Sequence, residues 1–246
     1  MVCTQRATLR ALDRRTVLAL LPPRSILRRV IAWAPSDRPV PSGRPVAQVD
    51  GPDPDRVLII GSGPVSSAGA ADHGSALPGT VARALARRTG HGAVVEARGA
   101  REVRLADLPG LLAGAQLQRF DALVLVVGLF DATDGLGGRA WSRSLHRHLD
   151  TIQHDGTRDA AVLLTRIPPF SAVTGRRGVA AVLGDRAVDR LNTAIDRAAR
   201  SRPSTGRTVL PSPSVEAPVG SPAWYDRCGE ALGEALSPML GSQRSR

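Results

Sequence analysis

The run Val57-Leu58-Ile59-Ile60-Gly61-Ser62-Gly63-Pro64, with Gly69 a few residues on, limits the folds open to this chain more than any other segment. An apolar stretch of strand length breaks into a Gly-rich turn and then enters a segment of helical periodicity. A strand with no polar face must be covered on both sides, which is the condition of a parallel sheet inside an α/β protein. In such sheets the turn at the carboxyl end of the strand is where a nucleophile or a phosphate is held.

The rest of the chain repeats the alternation. Strands are expected at 56–60, 93–97, 122–127, 160–166 and 208–210, with Ala122 to Val127 unbroken in its apolar character. Helices are expected at 76–88, 105–112, 139–154, 184–201 and 230–240, where apolar residues recur every three to four positions. Five strands alternating with helices predict a three-layer α/β/α domain with a five-stranded parallel sheet in a flavodoxin-like winding. Three strand ends then converge on one crevice: Gly61 to Ser67, Arg98 to Arg101 and Gly128 to Asp134.

Charge divides the chain differently. All 33 basic residues are arginine, as a GC-rich coding sequence would give, and the net charge is +11. Residues 1–45 carry 9 Arg against 2 Asp, whereas the remainder is nearly balanced. Ile26, Leu27, Val30, Ile31 and Trp33 alternate with Arg24, Arg28 and Arg29, a pattern that suits a short amphipathic helix within 16–34. The chain therefore reads as a basic arm (1–34), a Pro- and Gly-rich linker (35–55), an α/β domain (56–240) and a short tail (241–246). The arm suits an anionic surface, a membrane more than nucleic acid, or else is a solvated tail or packs on the domain.

Several chemistries lack their residues. Cys3 and Cys228 form no CxxC pair and His73, His91, His146, His148 and His154 no HExxH pattern, so neither a disulfide framework nor a metal site is expected. Neither GxGxxG nor GxxxxGK[ST] occurs, and the lysine of a P-loop is missing, so no cofactor is expected. No run approaches the roughly 18 apolar residues of a membrane span. Val17 to Leu21 is too short for the apolar part of a signal peptide, so the expected location is the cytoplasm, or the periphery of a membrane.

The strand-end turns carry a resemblance to the SGNH/GDSL hydrolases over roughly residues 55–240. Gly61-Ser62-Gly63-Pro64 stands where that family has Gly-Asp-Ser-Leu, with Gly69 as the later glycine. The segment Asp72 to Gly79 is similar to the one that follows the family's serine. Ala97-Arg98-Gly99-Ala100 keeps the glycine of the second block. Gly128-Leu129-Phe130-Asp131 stands for Gly-x-Asn-Asp, and Ile167-Pro168-Pro169-Phe170 resembles the turn after the fourth strand. Aligned on Gly229, Ser221 to Tyr225 occupies the place of Asp-x-x-His-Pro.

The resemblance implies serine acyl transfer, and that chemistry needs a nucleophile, a base with an orienting acid, and oxyanion donors. At the aligned positions Gly63 has no hydroxyl, Phe130 no donor, Ser221 no carboxylate and Trp224 no base. No histidine follows His154. Gly61, Gly63, Gly99 and Gly128 would supply only the backbone of the crevice, and Asp131 is expected to be a structural acceptor in its turn. Ser62, Ser66 and His73 are the residues from which a rearranged esterase or acyltransferase site would be built. The expectation is thus a degenerate esterase-like domain with a binding or scaffolding role. Its expected ligand is acyl or lipid-like, in a crevice lined by Phe130 and Trp224, although a filled-in site explains the same replacements.

Overall fold

The computed structural model describes residues 38–133, 138–156 and 160–244. The expected amphipathic helix at 16–34 and Cys3 lie outside them. Six strands form one sheet: β1 (Val46–Val49), β2 (Asp55–Gly61), β3 (Ala93–Gly99), β4 (Ala122–Val126), β5 (Ala161–Arg166) and β6 (Thr205–Val209), in the order β1-β3-β2-β4-β5-β6. β2 to β6 are parallel, and β1 pairs with β3 antiparallel. The sheet is therefore six-stranded, one strand more than expected, and the added strand falls inside the segment whose composition suggests a linker. Four residues between Pro- and Gly-rich flanks leave little pattern to read, and pairing with β3 along one edge is what makes them a strand.

Seven helices are described: α1 (Leu77–Thr89), α2 (Leu108–Leu112), α3 (Leu129–Thr133), α4 (Gly138–Asp155), α5 (Phe170–Thr174), α6 (Val179–Arg200) and α7 (Pro222–Arg244). The expected helix at 105–112 is instead a 3-10 turn at Leu105–Asp107 running into α2. The last helix starts eight residues earlier than expected and absorbs 241–244 of the expected tail.

The two-residue period of the strands sorts the core into two layers. Val57 and Ile59 of β2, with Val124 and Leu163, face α1 and α7, where Leu77, Val81, Leu85, Leu232 and Leu236 meet them. Leu58 and Ile60, with Leu123, Leu125, Val162 and Leu164, face the other way onto α2, α4 and α6. On α4 the stripe Trp141, Leu145, Leu149 and Ile152 is buried, as the helical period requires. α1 and α7 approach closely because α7 presents glycines. A Cβ at Gly229 would stand 2.6 Å from Thr80 Cβ, and one at Gly233 2.7 Å from Ala84 Cβ. This contact holds the first turn of α7 beside the carboxyl ends of the strands.

The chain leaves β2 through α1 to β3 on one side, then returns to β4 on the other side of β2. The winding thus reverses between β2 and β4, and the crevice of an open parallel sheet forms at such a reversal. Among the described residues no helix is long and apolar enough to cross a membrane.

Candidate functional site

At the reversal Gly61 ends β2 with φ +145°, and an added Cβ would stand 2.0 Å from the Val126 carbonyl oxygen. The next residue uses that carbonyl, since Ser62 N–H donates to it at 2.9 Å. Residues 63–66 form a 3-10 turn with Pro64 in its first turn. Gly63 has φ +63°, and no atom lies within 4 Å of where its Cβ would be. The position of the family's serine is thus open space above a left-handed residue.

Gly99 ends β3 in register with Gly61, and Ala100 N–H donates to Gly61 O at 3.3 Å. Gly128 precedes α3, its carbonyl accepting Ala132 N–H at 2.9 Å. The turn after β2 and the ends of β4 and β5 border a crevice with a cavity volume of about 70 Å³; of the four glycines expected to form its backbone only Gly63 lines it, because Gly61, Gly99 and Gly128 are taken up in strand-to-strand and turn packing beneath it. Its walls are Val126, Val127 and Leu129 from the β4 side, Ile167 and Pro168 after β5, and Leu210 and Trp224 opposite. Phe130, expected in the lining, is buried but does not line it. It follows Leu129 on α3, and successive helical residues point about 100° apart, so only one of the two can face the crevice.

The other positions that the resemblance singles out, 221 and 224, make structural contacts. Ser221 Oγ and Ser221 O both accept Trp224 N–H, at 3.2 and 3.1 Å, with Pro222 at the first position of α7. This is an N-cap, placed where the resemblance puts the acid. Ser221→Ala should lower stability by about 1 kcal/mol. Ser221→Asp, which keeps an acceptor at the cap, should be nearly neutral in urea denaturation. Trp224 is buried, and its indole Nε1–H donates to Pro211 O at 3.2 Å. Its ring lies 5.4 Å from that of Tyr225, whose hydroxyl donates to Ala68 O at 3.0 Å. The residue in the place of the base is thus an anchor between α7 and the loop after β6.

The candidates for a rearranged site do not meet. Ser66 Oγ donates to Gly63 O at 2.8 Å, and Ser62 Oγ faces Val126 O at 3.5 Å. Neither ring nitrogen of His73 has a hydrogen-bond partner, although both are buried. Elsewhere Ser144 Oγ and His148 Nε2 stand 3.4 Å apart on α4, but neither lines the crevice. Among the described residues no group of His, Cys, Asp and Glu could hold a metal ion.

Asp131 is 1% exposed, and both its oxygens lie 3.2 Å from Leu105 N–H, which it accepts. Burial pushes its carboxyl up to about 6, against the Leu105 N–H that favours the charge. The bond ties α3 to the segment after β3. Cys228, buried on α7, is pushed up to about 12 by loss of solvent, which removes it as a nucleophile near neutral pH.

Two residues that sequence reasoning missed, Asn192 and Arg38, shape the site. Asn192 in α6 accepts Ile167 N–H at 2.8 Å through Oδ1 and donates Nδ2–H to Ile167 O at 2.9 Å, which fixes the Pro-Pro turn. An amide on the buried face of a patterned helix was the available signal. Arg38 and Arg101 stand with Gly63, Ser66 and Trp224 at the shoulder of the crevice; Arg101 belongs to the strand end expected there at 98–101, and no local pattern marks Arg38.

No family model and no curated relative matches the sequence. Solved structures do. A crystal structure of TesA is similar with a TM-score of 0.55 and 18% identity, covering 75% of this chain and 99% of the other. A mutant acetyl-xylooligosaccharide esterase from Geobacillus gives 0.54 and 15%, covering 78% and 95%. The lipase Lip_vut3 from a goat rumen metagenome gives 0.54 and 12%, covering 72% and 95%. At these identities the likeness is one of fold, and the fold is SGNH/GDSL hydrolase-like.

Proposed function

We propose that this chain is a catalytically silent SGNH-like domain that retains its crevice as a binding site for a short acyl or lipid-like ligand. The observation that carries the reading is the state of the acid and base positions. Ser221 is occupied as a helix cap and Trp224 as a buried anchor, and no imidazole of the described residues lines the crevice. A serine with no base to take its proton leaves little catalysis beyond binding and backbone donors. The crevice walls are almost wholly apolar side chains, which suits a hydrocarbon tail more than a sugar.

The test is hydrolysis of short-chain p-nitrophenyl esters together with labelling by a fluorophosphonate. The expected result is neither turnover above the buffer rate nor labelling, unchanged in Ser62→Ala and Ser66→Ala. Labelling lost in one of those variants would overturn the reading and locate a rebuilt nucleophile.

A further inference from the structure

The shoulder of the crevice carries a chemistry that the apolar walls do not. Gly63, Val219 and Trp224 line the crevice on one side and a small depression on the other, and the depression is completed by Ser66, Arg38 and Arg101. Arg38 is wedged there: its Nη1–H donates to Val219 O, and its Nη1 lies 2.8 Å from where a Cβ of Gly220 would be. Arg101 Nη2–H donates to Arg38 O at 2.6 Å. These bonds fix both side chains but engage only backbone carbonyls, and neither residue forms an ion pair within the described residues. A guanidinium has five donors, so each keeps several for a ligand. Two cations held beside an apolar cleft, in the depression that they share with the open position above Gly63, match a molecule with an anionic end and a hydrocarbon tail.

Resting on the binding reading above, we propose that the ligand is a single-chain fatty carboxylate. Its tail lies between Leu129, Ile167 and Leu210, and its carboxylate lies over Gly63 against Arg38 and Arg101. A carboxylate fits better than an ester because guanidinium pairs with the two oxygens of an ion in one plane, and an ester offers no charge. The ligand is thus the acid that an ester hydrolase would release. It is retained because no catalytic groups occupy the space that its head group fills.

The experiment is calorimetric titration of the full chain with octanoate, methyl octanoate and octyl phosphate. Octanoate should bind about tenfold more tightly than methyl octanoate, the size of a charge-assisted contact partly screened by water. Rising sodium chloride should erode that advantage and leave the ester unchanged. The double variant Arg38→Gln, Arg101→Gln should bind the two equally. The salt titration on the unaltered protein gives the same answer should that variant fold poorly. Equal binding of octanoate and methyl octanoate in the parent would overturn the carboxylate site while leaving the acyl-binding reading intact. A preference for octyl phosphate over octanoate would overturn the choice of head group. If none of the three binds, the binding reading fails, and this inference with it.

Discussion

Gly61→Ala is expected to cost about 4 kcal/mol or more, a large part of the roughly 5–15 kcal/mol that stabilises an ordinary domain. The new methyl would stand 2.0 Å from Val126 O, which belongs to the backbone of β4 and cannot rotate away. Moving β4 to make room would also break the 2.9 Å bond from Ser62 N–H and spread the crevice at its base. The φ of +145° adds a conformation that L residues rarely adopt. Gly63, two residues on, gives the contrast. Its φ of +63° makes Gly63→Ala cost about 1 kcal/mol, because there is no atom for the methyl to strike. Urea denaturation of both variants checks the pair. A Gly61→Ala midpoint close to that of Gly63→Ala would mean that β2 and β4 do not meet as closely as described.

That contrast bears on what the proposed silent site would need for serine chemistry. A serine side chain would fit at position 63, where no atom stands in the way of a Cβ. Positions 221 and 224 are different, since each now makes bonds that hold α7 in place. A histidine at position 224 would remove the indole contact to Pro211 O and the packing on Tyr225 before it supplied a base. On the proposed reading, a serine placed at position 63 alone would therefore not supply esterase activity.

The legibility of this chain follows burial. β2 and β4 are legible to within about a residue because every position from Val57 to Ile60 and from Ala122 to Val126 is buried, and such runs leave no other reading. The apolar pattern places β6 about three residues late. In its sequence Thr-Gly-Arg-Thr-Val only Thr205 is buried, the rest alternating half-buried and exposed, so its apolar signal comes at the following buried Leu210. The positions 63, 221 and 224 come from the resemblance to the SGNH/GDSL pattern, and the Ser-Pro pair at 221–222 is a helix-start signal that marks the true beginning of α7. The partners of Asn192 and Arg38 are not legible at all. Asn192 reaches 25 residues back to Ile167, and Arg38 reaches 181 residues forward to Val219, distances over which no local pattern operates.

Stability should also fall as pH rises through the titration of Asp131, and Asp131→Asn should remove that fall. Burial holds the carboxyl near 6 in the folded protein, above the 3.8 of a solvated aspartate. A raised pKa means that the folded state prefers the protonated form. The favourable contribution is therefore complete below about 3.8 and is lost as pH rises through about 6. The difference corresponds to about 3 kcal/mol at full ionisation. The asparagine of the variant would keep an oxygen acceptor for Leu105 N–H and carry no charge, so this position would add no pH dependence over that window. Plotted as variant minus parent, the urea-derived free energy should thus climb by up to about 3 kcal/mol between about pH 3.5 and about pH 8. The amide's extra donor shifts both ends alike and leaves the slope untouched. Parallel curves would show that Asp131 ionises as it does in water, and that the tie between α3 and Leu105 is wet instead of buried. Asp131→Ala separates the bond from the charge. It leaves Leu105 N–H buried without a partner and should cost about 1–3 kcal/mol below about pH 5, where the folded parent is uncharged at this position as well.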